Sequence, residues 1–335
     1  MTYGLAPDEV SLIMGLSVPM HYLGGAYYPI GGGQVLSDAL VKSIEASGGQ
    51  VVLKATATRI AVERGKVTGV EFVRKPSNKH YVACEQVVSN ADLQNTLLDL
   101  IDEGQLKPKD RVRTASHRMA PGLGIVYLGL KRDLRSECHP ITNHYVFPEV
   151  GVEQHHADVR ALKVPTKPFV YITSSTLKDP TSLKAAPAGC TNLQLMTVVP
   201  SDPRAWGVTE EQFQSGAYRR SDSYQAAKEE FMRRCLRTAE RSIPGISDQI
   251  CFQEVATPLT HQKFTKSRNG TPFGIASTPD QFLLNRPGPK TSISGLYLCG
   301  SSCRTGTGII GVSHSGVVAA GKVLKKNLVR RIFGS

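Results

Sequence analysis

The residues best suited to chemistry lie in 295–311, Gly-Leu-Tyr-Leu-Cys-Gly-Ser-Ser-Cys-Arg-Thr-Gly-Thr-Gly-Ile-Ile-Gly. Gly306, Gly308 and Gly311 spell G-x-G-x-x-G. In that pattern bare backbone approaches a pyrophosphate while a helix N-terminus points free N–H groups at the charge. The spacing argues against a complete dinucleotide unit here. Five residues (301–305) separate the strand-ending Gly300 from Gly306, and 24 (312–335) follow Gly311. That is too little for a second strand and its acidic ribose ligand. A helix N-terminus closing on some other cofactor remains open.

Other reactive types are scattered. Cys299 and Cys303 straddle a strand–loop break with no second Cys/His pair nearby, so zinc is not expected. Cys299 reads as a small core residue, and Cys303 as a loop thiol with some redox potential. His155-His156 lack a carboxylate or thiolate at helical spacing and read as a solvated loop. Ser301 and Ser302 lie in no G-x-S-x-G elbow, which argues against a hydrolase. Arg304 reads equally as a phosphate partner and as surface. His314 reads as a structural residue on the first turn of the closing helix. His261 has no evident acid–base partner. Trp206, Tyr27, Tyr28, Phe273 and Phe282 could line an apolar tunnel, though core packing explains such residues more often.

These candidates need elements to hold them. The pattern places a strand at 296–299 and a small-residue helix at 313–325. An apolar helix is expected within 10–28, and a second helix follows Gly31-Gly32-Gly33 with Val35, Leu36, Ala39, Leu40 and Ile44 on one face. Residues 50–58 read as a strand, 58–62 and 67–73 as a hairpin around Arg64-Gly65, and 81–89 as another strand. A helix then carries Leu93, Leu97, Leu98 and Ile101. Strands at 124–130, 144–148, 169–174 and 192–199 suggest a mainly antiparallel sheet. Residues 222–243 read as an amphipathic helix stopped by Pro244-Gly245, and the stretch from Ile250 as loop-rich. The fold class is α/β plus α+β.

Forty Lys and Arg against 28 Asp and Glu give +12, but the basic residues are scattered, so nucleic acid is not the expected partner and a peripheral membrane contact fits better. Seven cysteines, an odd number, suit a reducing intracellular compartment. No run approaches the roughly 18 apolar residues of a membrane span. The first residues lack the blocks of a signal peptide.

Four segments in order carry a resemblance. They are Tyr28-Pro-Ile-Gly-Gly-Gly33 with Leu36, Leu40 and Gly48-Gly49-x-Val51; Thr58-x-Ile60 through Val70 with Val87-Val88-Ser-Asn-Ala-Asp92; Thr257-Pro-Leu-Thr260 with Asn269-Gly-Thr-Pro-Phe-Gly274; and 295–311. Together they resemble the carotenoid desaturase, carotenoid isomerase and retinol saturase group of flavoproteins. That group is the phytoene-dehydrogenase-like branch of the FAD-dependent amine oxidase superfamily.

The resemblance implies an incomplete, Rossmann-like FAD-binding domain with an inserted substrate domain. Residues 1–30 would be a helical piece of the substrate domain and 31–105 part of the FAD-binding domain. Residues 106–250 would carry the substrate sheet, and 251–330 would return to the FAD-binding domain. It further implies cofactor contacts at Gly32, Gly33, Ala57, Ser89, Asn90, Gly300, Ser301, Gly308, Ile310, Gly311 and Val312, with unpaired N–H groups at Gly311 and Val312 facing the flavin. Ser301 stands where many relatives carry an acidic residue. No metal site and no catalytic side chain are implied. The family's opening strand–glycine–helix unit, which cradles the FAD pyrophosphate, has no counterpart in this sequence, so the chain reads as the C-terminal portion of such a protein. The expected activity is FAD-dependent hydride exchange at flavin N5 with a lipophilic polyene, by desaturation, saturation or isomerisation. Alternatives are a silent or partner-dependent polypeptide that does not hold FAD alone, joining a separate N-terminal half, and an oxidase of amines or porphyrinogens.

Overall fold

The computed structural model describes residues 4–75 and 78–334. In chain order the strands are β1 (Thr56–Glu63), β2 (Lys66–Lys75), β3 (Asn78–Ala83), β4 (Val87–Ser89), β5 (Gly122–Leu130), β6 (His144–Val146), β7 (Val170–Thr173), β8 (Thr191–Val199), β9 (Ile250–Ala256) and β10 (Leu296–Leu298). The α-helices are α1 (Leu12–His21), α2 (Gln34–Ala46), α3 (Pro108–Ser116), α4 (Val152–Arg160), α5 (Ser175–Lys178), α6 (Glu210–Ser215), α7 (Asp222–Ala239), α8 (Pro258–Thr265), α9 (Gly308–Val323) and α10 (Leu328–Phe333). No described helix is long and apolar enough to cross a membrane.

The chain divides into two compact units. The first takes the residues up to Pro19, Val52–Ala120 and the residues from Thr265 onward; the second takes Met20–Val51 and Pro121–Phe264. Helix α2, expected beside the cofactor half, belongs to the second unit.

The second unit is built on a fully antiparallel sheet in the order β6-β7-β8-β5-β9. Strand β8 alternates buried and half-buried residues as a strand with one covered face must. Helix α7 lies over that face. Its Tyr224, Phe231, Cys235 and Ala239 recur at helical spacing and are all buried. Ser221 caps its start by accepting the Tyr224 N–H. Trp206 is fully buried, sits edge-on to Phe231 and donates its indole N–H to the Pro200 carbonyl. It is therefore a core residue and lines no tunnel.

The first unit holds a meander, β1-β2-β3, and a separate parallel pair, β4 with β10. Arg64 and Gly65 both have positive φ, the requirement of a two-residue hairpin turn. Ile60, Val62 and Val67 pack with Leu93, Leu97, Ile101, Leu296 and Leu298 in one core. The α/β plus α+β class, with an antiparallel sheet inserted, is the one observed.

Several element expectations need correction. Residues 50–55 form no strand, because nothing among the described residues pairs with them. The stretch 81–89 is two strands in different sheets: β3 leaves β2 at Ala83 and β4 starts its parallel pairing at Val87. Gly295 sits at positive φ with Glu85 O where its Cβ would go, so the chain must be bare there for β10 to meet β4. The helix after Asp92 has a π-helical stretch at Asn95–Asp99. Helix α7 ends at Ala239, where Glu240 accepts the N–H groups of Gly245 and Ser247. The region after Ile250 opens with β9, a mostly exposed edge strand whose alternation is blurred for that reason. His155 and His156 are buried on α4 and not in a solvated loop.

Candidate functional site

The closing segment of the first unit is assembled from a strand end, a tight loop and a long helix. Strand β10 stops when Cys299 N–H donates to Ser89 O. Gly300, at φ +96°, then turns the chain, and Asn90 Oδ1 lies 2.1 Å from where a Cβ would stand. The Gly300 N–H donates to Ser315 Oγ at 2.7 Å, and that hydroxyl donates to Val312 O at 2.7 Å. A single buried serine thus clamps the strand end to the second turn of α9.

The loop 301–307 is held from beneath by Arg286, which is fully buried. Its guanidinium donates to Ser301 O (2.6 Å), Ile275 O (3.1 Å), Cys303 O (3.2 Å), Ser277 Oγ (3.2 Å) and Gln281 O (3.4 Å). Every acceptor is a neutral carbonyl or hydroxyl. Burial pulls the guanidinium's pKa down to about 10, which leaves it charged at neutral pH. The loop therefore rests on a buried cation with no carboxylate bonded to it, a source of positive potential.

Helix α9 begins at Gly308 and not at Ser313. Its orphan N–H groups are consequently those of Thr307 to Ile310, one turn earlier than Gly311 and Val312. His314 then falls in the second turn, where its ring meets Phe333 at 5.7 Å. Thr307 is the N-cap in extended conformation, yet its hydroxyl makes no capping bond. Thr307 Oγ1 is buried without a hydrogen-bond partner. An N-cap threonine ordinarily accepts an N–H of the first turn. Here that hydroxyl and the first-turn N–H groups are left for another acceptor or donor. Ile309 and Ile310 are exposed beside them. Thr305 Oγ1 donates to Gly311 O, and a Cβ on Gly311 would stand 2.9 Å from Thr305 O. This set suits a group with an anionic, hydrogen-bonding edge.

Ser89, Gly300 and Val312 are thus tied together through Cys299 and Ser315, Asn90 lies against Gly300, and Ser301 leads through the loop to Gly308, Ile310 and Gly311. Ser89 contributes its backbone, since its hydroxyl is engaged with Thr96 Oγ1 at 2.8 Å. Ala57 is exposed on a different sheet, opposite Phe72. Gly32 and Gly33 belong to the second unit. There the glycine turn is closed on itself: Gly31 N–H donates to the Asp179 carboxylate at 2.6 Å and Gly32 N–H to Pro29 O. That bond, first among several, holds the Asp179 carboxyl below its usual pKa. Cys303 is buried and its thiol is pushed up to about 12, so it is no reactive thiolate. Arg304 is exposed.

Two important residues carry no sequence signal. Nothing in Asn285-Arg-Pro-Gly288 marks Arg286 as buried, and Asp179 meets Gly31 across 148 residues.

The family model for flavin containing amine oxidoreductases matches residues 7–324. The carrot (Daucus carota) chloroplastic prolycopene isomerase is 28% identical over 329 residues, covering 94% of this chain and 48% of that protein. The all-trans-retinol 13,14-reductase of Macaca fascicularis is 27% identical over 347 residues, covering 98% and 54%. The chain spans about half the length of these curated relatives. Among solved structures, an oxidoreductase from Methanosarcina mazei aligns with a TM-score of 0.60 at 19% identity, covering 97% of this chain and 62% of that one. Cyclohexylamine oxidase from Brevibacterium oxydans aligns at 0.53 and 13%, covering 97% and 62%.

Proposed function

Since the chain belongs to the flavin containing amine oxidoreductase family, in the branch it shares with prolycopene isomerases and retinol 13,14-reductases, we propose that residues 300–312 form one wall of an FAD site in an oxidoreductase of lipophilic polyenes. The observation that carries this reading is the buried, unpartnered Thr307 hydroxyl at the N-terminus of α9. A flavin bound there supplies the redox chemistry, hydride exchange at its N5 with a polyene C–C bond.

The chain's own residues do the rest. Thr307 and the first-turn N–H groups bind the polar edge of the ring and stabilise negative charge on it. Ile309 and Ile310 keep water from its flank. Gly300 and Gly311 keep side chains out of the loop's tight turns. Ser315 and Arg286 fix the loop, and Arg286 adds a buried positive charge. Prolycopene and retinol, named for the relatives, are both polyenes. That supports the substrate class and leaves desaturation, saturation and isomerisation as the reactions to assay.

A second reading is favoured by the parallel pair β4–β10, where Val88 is about half exposed on a sheet of only two described strands. In it the chain completes a flavin site only with a separate pyrophosphate-binding βα unit. Titration of the chain with FAD, followed by quenching of flavin fluorescence, tests both. Saturable quenching that Thr307→Val weakens about tenfold, the loss of one good hydrogen bond, supports the first reading. Quenching that requires an added glycine-motif βα protein supports the second. Absence of quenching in both arms overturns the assignment.

A further inference from the structure

The opposite end of α9 carries a second feature, independent of the flavin reading. From Gln281 to the last residue there is no Asp or Glu, while eight Lys and Arg occur, in a chain whose whole excess is +12. Five of the eight, Lys322, Lys325, Lys326, Arg330 and Arg331, fall within ten residues.

The end of α9 and the start of α10 border an open groove of about 440 Å³. Lys290, Lys322, Lys325 and Lys326 line it together with Val317 and Leu328. None of these lysines has a carboxylate partner among the described residues. Favourable placement of cations near a helix C-terminus accounts for Lys322, Lys325 and Lys326. It does not account for Lys290, which arrives from the loop before β10 and converges on the same space.

The corner is built rather than frayed. Lys326 N–H donates to Gly321 O at 3.0 Å, with Lys325 in the left-handed region, a Schellman-type closure. Gly321 is bare where a Cβ would stand 2.8 Å from Lys326 O. Asn327 caps α10 by accepting the Arg330 N–H, and the Phe333 ring leans on His314. Leu324, Ile332 and Phe333 remain more than half exposed around this corner. Apolar side chains interspersed with unpaired cations are the signature of a surface that lies on a charged bilayer.

We propose that the α9–α10 corner docks the protein on anionic phospholipid, the lysine groove taking the phosphate and Leu324, Ile332 and Phe333 entering the acyl boundary. A free phosphate would use the lysines and ignore these three side chains, which is why the lipid is the occupant the surface fits.

Co-sedimentation of the chain with phosphatidylcholine vesicles, with and without phosphatidylglycerol, tests this. Binding is expected only with the anionic lipid, weakening as salt rises. Lys322→Ala with Lys326→Ala should lower partitioning about 25-fold, at roughly fivefold per lysine. Ile332→Ser with Phe333→Ser should lower it with every charge retained, and circular dichroism of both variants should match the parent. Equal sedimentation with both vesicle types overturns the proposal, as does indifference to either pair of substitutions. Stabilisation by inorganic phosphate without vesicle binding overturns it too, assigning the groove to a free anion.

Discussion

The antiparallel sheet of the second unit and the parallel pair of the first solve the same problem in opposite ways. In the sheet, β5 pairs on both sides and α7 fills the covered face with Tyr224, Phe231 and Cys235, beside the buried Trp206. Stability there comes from side chains packed against side chains. The pair β4–β10 has three residues per strand, and the loop that follows β10 is held mainly through its backbone. Glycines let chain meet chain, Ser315 bridges strand to helix, and one arginine collects loose carbonyls. The sheet is a packing solution. The closing segment is a hydrogen-bonding solution, and that is why it can leave a threonine hydroxyl and a helix N-terminus unspent.

Substitutions can break this contrast on either side. Phe231→Ala should cost the most, about 4 kcal/mol, by emptying the space between Trp206 and Gly124; urea denaturation gives the value, and a loss under 1 kcal/mol would deny the sheet its packing character. Arg286→Met should cost about 3 kcal/mol. It leaves the Ile275, Ser301 and Gln281 carbonyls without any other donor among the described residues, at roughly one each. Proteolysis should then speed up at the 300–307 loop, and unchanged cleavage would reduce Arg286 to filler.

Acid should act on the packed side. Burial and the neighbouring His156 lower His155 to about pKa 4, and Phe169 N–H donates to its Nδ1. The unfolded chain binds that proton near pKa 6.5, so stability is complete above that value and is lost as pH falls toward 4. The loss should reach about 2 kcal/mol by about pH 5. His155→Asn should flatten that part of the stability–pH curve, and an unchanged slope would place the titration elsewhere.

Gly300→Ala should cost roughly 1–2 kcal/mol, from positive φ and the approach of Asn90, and it should disturb flavin binding more than thermal stability. The smallest effect is expected from Asp102→Asn. It loses an exposed pair with Arg59, which holds the Asp102 carboxyl below its usual range. The unfolding midpoint should not move measurably.

Much of this was legible from periodicity. The hairpin at Arg64-Gly65, strands β5, β7 and β8, helix α7 with its buried stripe and the glycine-rich closing segment all stand in the order and type expected. Local rules suffice where an element's partners lie close in sequence or where one face is evenly buried. They fail at β9, an edge strand with a poor alternation signal, and at 50–55, strand-like in composition but without a partner. They fail for His155 and His156 because burial is a property of the fold and not of two letters. Helix α9 starts five residues ahead of the expected Ser313, since glycines at 308 and 311 have a loop-like composition yet join the helix hydrogen bonds.

By itself the sequence carried the family resemblance, the fold class, the antiparallel sheet and the glycine-rich closing segment. The family shows in four segments matched in order, and the elements show because turn glycines and apolar periodicity act over a few residues and leave a direct trace. Only the tertiary structure decided that Arg286 is buried beneath the closing loop, that Asp179 occupies the Gly31 turn, that Thr307 is left without a partner and that Lys290 joins three lysines of the α9 end. Each depends on groups far apart in sequence meeting where water is excluded or a groove forms, and no local pattern records such a meeting.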